Sequence, residues 1–270
     1  MLDGEDGIEL NEAPLATREQ VLRVHTRHYT DGFLAGTLPP GLMRRIGFPW
    51  SPELVKRTLA SAGSTLEAAR QAMATGLSGT LAGGTHHAFR NEGSGFCVFN
   101  DLAIAIEELR AHNGLRRVAV VDLDVHQGDG TAAIFSEDPA VFTLSVHGKK
   151  NFPFRKQASR CDVELDDQTK DEEYLNKVEN ALAGVWDFAP ELILYQSGVD
   201  GLQSDRLGRL GLTAEGLRRR DELVIGSAQQ LGIPLAITLG GGYSDPIELT
   251  VESHANTFRI ASRIYQGCYR

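Results

Sequence analysis

The sequence predicts an α/β fold built on a mostly parallel open sheet, and three observations predict it. Short β-branched runs alternate with helical stretches of roughly 12 to 20 residues. Glycine or proline punctuates the junctions between them. Runs such as RVAVVDLD and ELILYQSG are nearly continuous in apolar residues, as expected of strands covered by helices on both faces of a sheet.

The elements follow in order. From Thr17 to about Leu34 the apolar spacing is helical. Ser51, Pro52 and Glu53 form a helix start, with an N-cap, a proline at the first helical position and an early acid. That helix is expected to reach about Thr75, with an interruption near Gly63. The segment GTLAGG is strand-like and leads into His86 and His87. Further strands are expected over Arg117–Asp122, Val141–Val146, Glu191–Gln196 and Pro234–Leu239. Helices are expected over Asn100–His112, Asp171–Phe188, Thr213–Leu231 and Pro246–Gln266. No internal repeat, low-complexity tract or long linker divides the chain, so residues 1–270 are read as one domain.

Composition limits the partners. A chain of 270 residues with 41% hydrophobic content can bury a sizeable core without disulfide or metal staples. Its 27 Lys+Arg against 36 Asp+Glu give a net charge of −9, with no domain-wide basic excess to track a phosphate backbone, which argues against direct nucleic-acid binding and favours cationic substrates. Cys97, Cys161 and Cys268 lie far apart and form no C-x-x-C pair, so neither a disulfide framework nor a zinc knuckle is expected. No apolar run approaches bilayer length and the start MLDGEDGIEL is acidic. The expectation is a soluble, cytoplasmic protein with no membrane partner; its oligomeric state is not legible.

In open α/β sheets the ligand site lies outside the carboxyl ends of the strands, so the polar residues that follow each strand carry the argument. They are Asp122, Asp124 and His126; Ser145 and His147; Asp200; and Gly240 to Tyr243, with His86 and His87 after GTLAGG. In an extended stretch Asp122, Asp124 and His126 project to one face, with Leu123 and Val125 on the other. A lone strand-terminal Asp usually caps a turn. Repeated Asp-x-Asp-x-His before the tight segment Gly128-Asp129-Gly130-Thr131 is hard to explain that way.

A catalytic divalent metal keeps three protein ligands and an open position. Asp124 and His126 offer two, and Asp200, in a glycine-flanked segment, is the strongest third candidate, although the same residue could be an ordinary loop aspartate. These ligands would also accept Fe²⁺ or Co²⁺. Asp122 and Asp129 are then free to orient one imidazole each of the His86–His87 pair. Tyr243 stands on a glycine turn whose backbone freedom would bring its hydroxyl onto a developing oxyanion, though GGGY alone is equally a solvated loop tyrosine. A two-metal site would need a second Asp-x-Asp near Asp200, and a dinucleotide site would need G-x-G-x-x-G; both are missing.

The ordered set GGTHHAF, GSGFCVFND, VVDLDVHQGDG, QSGVDGLQSDRLGRL and LGGGYS resembles the motifs of the histone deacetylase superfamily, and LDVHQG, the FRKQASRCDVEL region with DEEYLNKVE, and DRLG with RRDELV resemble its class IV branch and bacterial relatives. The likeness runs from about Leu15 to the C-terminus. It implies a three-layer arginase/deacetylase-like fold and a Zn²⁺ ion on Asp124, His126 and Asp200. His86 and His87 match the tandem acid/base pair, Asp122 and Asp129 their partners, and Tyr243 the residue that polarises the scissile carbonyl. Gly95 and Phe96 match one wall of a channel for an acylated lysine, with Phe152 and Phe154 where the opposite wall is expected. A structural K⁺ would use Asp122, Asp124, His126 and Ser145. The family's usual first strand and helix have no counterpart before APLATREQVLRVH.

The resemblance implies removal of acetyl or longer acyl groups from acyl-lysine side chains of a protein or peptide. The alternatives are an acetylpolyamine amidohydrolase acting on a small acylated amine, and a homologue that binds metal or acyl-amine without hydrolysis.

Overall fold

The structure is a computed structural model and describes residues 2–266. Among these, six strands form one wholly parallel sheet in the order β1-β6-β5-β2-β3-β4. The strands are β1 (Leu77–Gly79), β2 (Val118–Asp122), β3 (Val141–Gly148), β4 (Cys161–Leu165), β5 (Leu192–Gln196) and β6 (Leu235–Thr238). The helices are α1 (Arg18–Val21), α2 (Arg27–Leu34), α3 (Pro40–Ile46), α4 (Pro52–Thr75), α5 (Asp101–Asn113), α6 (Asp129–Phe135), α7 (Asp171–Phe188), α8 (Ala214–Gln230) and α9 (Glu248–Gln266).

The continuous apolar strands are explained by two cores, one on each face. Val118, Val120, Leu192, Leu194 and Ala236 point into a cluster with α4 and α5. Their neighbours Ala119, Val121, Ile193, Tyr195, Leu235 and Ile237 point into a second cluster with α7, α8 and α9. Alternation at period two sends successive side chains to opposite faces, so a strand apolar at every position serves both layers. This is the three-layer α/β architecture expected.

Several boundaries differ from the expectation. The stretch 17–34 is two helices, because Thr17 and Thr26 each cap a separate start and the turn between them drives Val24 and His25 into the interior. The helix α4 runs through Gly63 unbroken. That glycine serves a close approach instead: a Cβ there would lie 1.9 Å from the Pro14 carbonyl oxygen, where the N-terminal segment crosses the helix and Ala16 N–H donates to Leu59 O. Of GTLAGG only Gly79 lies in a strand, and Ser145 and His147 stand within β3 rather than after it.

β4, α3 and α6 were not anticipated. β4 is an edge strand whose burial alternates, while α3 and α6 have seven residues each, too short to show a periodic pattern. Cys97 and Cys161 are free, and Cys268 lies outside the described residues. Among the described residues no helix is long and apolar enough to cross a membrane.

Candidate active site

The tandem histidines sit in the loop after β1, and the start of α5 shapes that loop. The Asp101 carboxylate accepts the N–H groups of Gly84 (2.9 Å) and Thr85 (2.8 Å) and the Thr65 hydroxyl (2.6 Å). Asn100 caps α5 at Ala103 N–H, and its side-chain amide donates to Ala88 O and Thr131 Oγ1. Behind them buried His25 accepts Asn100 N–H on Nε2 at 2.9 Å, which leaves Nδ1 to donate to Phe89 O at 3.0 Å. Burial pushes that imidazole down to about 4. Asn100 and Asp101 end the motif GSGFCVFND, but neither they nor His25 stood out individually in the sequence, since most of their partners are distant in the chain.

Two histidine–carboxylate pairs result. His86 Nδ1 lies 2.6 Å from Asp122 Oδ2, His87 Nδ1 lies 2.7 Å from Asp129 Oδ1, and the two Nε2 atoms are 3.0 Å apart. All four side chains are buried. Burial works against a charged His86, but the Asp122 carboxylate outweighs it and raises the imidazole to about 9. For His87 burial wins, and the neighbouring His86 and His126 push the same way, so it falls well below the usual range. A charged His86 donates from both nitrogens, to Asp122 and to His87 Nε2. His87 then keeps its single proton on Nδ1, towards Asp129. Gln196, the polar residue ending the apolar strand β5, brings its amide within 2.8 Å of His86 Nδ1.

The metal-type donors lie beyond strand β2. The strand ends at Asp122, so Asp124 and His126 are placed by bends rather than by a continued extended stretch. Leu123 and Val125 anchor those bends in the second core. His126 Nδ1 stands 3.0 Å from both Asp124 Oδ1 and Asp200 Oδ2. Backbone donors fix the carboxylates: Gly241 N–H to Asp124 Oδ2 at 2.6 Å, and Val125 N–H to Asp200 Oδ1 at 2.8 Å.

The three donor atoms lie within 4.8 Å of one another. Burial and the Asp124 carboxylate push Asp200 up to about 7, and both carboxylates, against burial, raise His126 to about 11. This pocket demands positive charge, and an Asp/His/Asp donor set fits a divalent cation.

The loops around the donors leave no slack. A Cβ on Gly198 would meet Asp124 Cα at 2.8 Å, and one on Gly241 would lie 2.2 Å from Asp200 Oδ2. Beneath them, fully buried Arg220 of α8 donates to Gly198 O at 2.5 Å and Ser197 O at 3.2 Å and pairs with Asp221 at 2.7 Å. Asp221 in turn accepts the hydroxyls of Tyr195 and Thr257. Arg220 lies in the RRDELV stretch that carries part of the family resemblance, but nothing in that stretch shows that its guanidinium is buried under the donor loops.

The turn carrying Tyr243 is tied down rather than loose. Val199 N–H donates to Gly241 O, Tyr243 N–H to Asp205 Oδ2 and Ser244 N–H to Thr250 Oγ1. Tyr243 is 40% exposed, and burial of the rest raises its phenol above the ordinary value.

One cavity of about 920 Å³ joins these groups: His86, His87, Asp124, His126, Asp200 and Tyr243 all line it. Gly95, at φ +53°, lets the wall close, since a Cβ would lie 2.7 Å from His87 Cδ2 and 3.0 Å from Phe152. Phe152 packs edge-on against His87 with ring centres 4.9 Å apart. Phe96 forms part of the wall at 49% exposure, whereas Phe154 is 90% exposed and belongs to the mouth. Ser145 pairs in register with Asp122, and its hydroxyl lies 2.9 Å from His147 Nδ1. A larger groove of about 1300 Å³ beside α4 reaches Thr85 and Phe96 but includes neither the histidines nor the donor triad. The mouth reverses the sign of the whole chain: Arg44, Arg45, Arg57, Lys150 and Arg209 line it, contrary to the cation-attracting field inferred from net charge.

The comparisons agree with this architecture. An uncharacterized protein of Picosynechococcus sp. is 43% identical over 269 residues, covering 97% of this chain and 89% of its own. A histone deacetylase-like amidohydrolase of Pseudomonas aeruginosa is 31% identical over 257 residues, covering 88% and 67%. The crystal structure of an HDAC homolog complexed with SAHA superposes with a TM-score of 0.79 at 26% identity, over 97% of this chain and 78% of that one. The histone deacetylase domain model matches residues 3–258, and with nearly the whole chain inside that match, the protein belongs to the histone deacetylase family.

Proposed function

We propose that the protein is a zinc-dependent amidohydrolase that removes acetyl or longer acyl groups from acyl-lysine side chains. The observation that carries this reading is the convergence, in one cavity, of the Asp124/His126/Asp200 donors with the two histidine–carboxylate pairs. When bound there, Zn²⁺ supplies Lewis-acid polarisation of an acyl carbonyl and lowers the pKa of water towards ~7.

The side chains divide the remaining work. Neutral His87, its Nε2 lone pair exchanging the His86 N–H for the attacking water, accepts the water's proton there and returns one to the leaving amine. Asp129 holds the required tautomer, with the His87 proton on Nδ1. His86 carries positive charge beside it, compensated by Asp122. Tyr243 donates its hydroxyl to the oxyanion developing on the acyl carbonyl, a contact worth roughly 3 kcal/mol in related chemistry. Gly95, Phe96 and Phe152 enclose the apolar stem and exclude water. For the K⁺ expected at Asp122, Asp124, His126 and Ser145, the support is the resemblance.

The test is hydrolysis of acetyl-, octanoyl- and myristoyl-lysine peptides and of acetylputrescine by zinc-loaded protein, with and without a chelator. Chelator-sensitive release of a free lysine amine is expected. Turnover of acetylputrescine alone would move the substrate to small acylated amines. One bound zinc with no turnover of any amide would refute hydrolysis.

A further inference from the structure

We infer that the mouth of the cavity selects acyl-lysines flanked by acidic residues and disfavours cationic acyl-amines; this rests on the amidohydrolase reading and names its substrate class. Five cationic side chains line the mouth: Arg44, Arg45, Arg57, Lys150 and Arg209. Outside the donor triad, Glu92 is the one carboxylate lining the same cavity among the described residues, and it pairs with Arg45. A second acid, Asp167, is shared between Arg209 at 3.2 Å and Lys150 at 3.6 Å. Arg44 and Arg57 have no carboxylate partner among the described residues. The Arg57 guanidinium is held instead over the Phe48 ring, 4.5 Å from its centre.

This distribution opposes the chain's net charge of −9, so it is a local feature. Position along the cavity decides which part of a substrate meets it. The acyl carbonyl must reach the floor, where Asp124, Asp200 and the histidines lie buried. The cations are exposed at the opposite end, with the Arg45, Lys150 and Arg209 side chains 60%, 64% and 53% accessible. They therefore face the backbone and neighbouring residues of the acylated lysine, not its acyl tail. Exposed Phe154 and Leu207 line the same cavity and offer apolar contact to the same segment. An acylpolyamine would instead bring additional ammonium groups to this cationic rim.

Rim charges act on encounter and are screened by salt. For one acyl-lysine peptide with aspartate, serine or lysine on both sides, kcat/KM at low ionic strength is expected to be about ten-fold higher for the acidic than for the basic version. The ratio should shrink to within about two-fold at 1 M salt, where the screening length falls to roughly 3 Å. Changing Arg44→Gln and Arg57→Gln together should move the ratio towards one.

Fluorescence anisotropy of the same peptides, with the zinc-loaded protein and product formation checked, reads charge preference separately from chemistry. Tighter binding of the acidic peptide without turnover would sustain the rim selection while refuting the hydrolytic reading. Equal or tighter binding and turnover of the basic peptide, or of acetylspermidine, would overturn the inference. A preference that survives unchanged in the double variant would overturn it too.

Discussion

Gly241 offers the sharpest test of how the donor triad is held. Replacement by alanine adds one methyl group whose carbon would lie 2.2 Å from Asp200 Oδ2 and 2.9 Å from Asp124 Oδ2, where ordinary contact begins at 3.4 Å. The carboxylates cannot swing aside freely, since Asp200 Oδ1 is held by Val125 N–H and Asp124 Oδ2 by Gly241 N–H itself. The accommodating shift is therefore about 1 Å, against a tolerance of about 0.2 Å in metal–ligand distances. Gly241→Ala is expected to weaken zinc binding by about 10- to 100-fold and to lower turnover by about 100-fold.

The overpacking itself costs about 1–3 kcal/mol, a fall of several degrees in Tm, so the variant still folds. Gly226→Ala in α8 is the control: nothing lies within 4 Å of the added carbon, and removing a helical glycine should stabilise by about 0.5–1 kcal/mol. Metal content, zinc titration against a competing chelator and turnover are measured on both. A Gly241→Ala protein with wild-type zinc affinity and turnover would refute the view that this glycine is required by the carboxylates.

Tyr243→Phe should retain zinc and lose about 100- to 1000-fold in turnover, measured by single-turnover hydrolysis; unchanged turnover would remove the phenol from the chemistry. Arg220→Met strips buried Asp221 and two loop carbonyls of their partner, so a loss of about 3–5 kcal/mol is expected in urea unfolding; a loss below about 1 kcal/mol would show that Asp221 and the loop carbonyls do not depend on the guanidinium. His25, held neutral to about 4 by burial, contributes stability that is fully present above the unfolded value of about 6.5 and is lost as pH falls towards 4. The advantage of wild type over His25→Gln should shrink by about 3 kcal/mol across that window; a constant difference in unfolding free energy would show that the imidazole titrates normally.

The sheet was legible because strand and helix periodicities are local and strong. Runs apolar at every position announced strands buried on both faces, and the cores on either side of Val118–Val121 bear this out. Elements with weak local signals were not legible: β4 alternates in burial at the sheet edge, and α3 and α6 are too short to show a period. The split of 17–34 was hidden because Thr26 reads as an ordinary helical residue until its side chain is seen accepting the Tyr29 N–H.

Residue identity and chain order alone determined which chemistry-bearing side chains emerge near the carboxyl ends of the strands, because parallel topology sends successive strand ends to one edge. Distance and environment were decided only by the tertiary structure. His86 and His87 are adjacent in sequence and chemically identical, yet one rises to about 9 beside Asp122 while the other falls under burial and the charge of its neighbours. No sequence pattern carries that difference, since both imidazoles are buried with a carboxylate within 3 Å, and what separates them is the surrounding charge: Asp122, Asp124 and Asp129 raise His86, whereas His86 and His126 lower His87. The same holds for Arg220, whose place in a run of charged letters does not disclose that the fold buries it beneath Gly198. It holds also for the mouth, where five cations gather from segments up to 165 residues apart, Arg44 to Arg209, on a chain that is acidic overall. Electrostatics falls off with distance in space, and folding alone sets that distance.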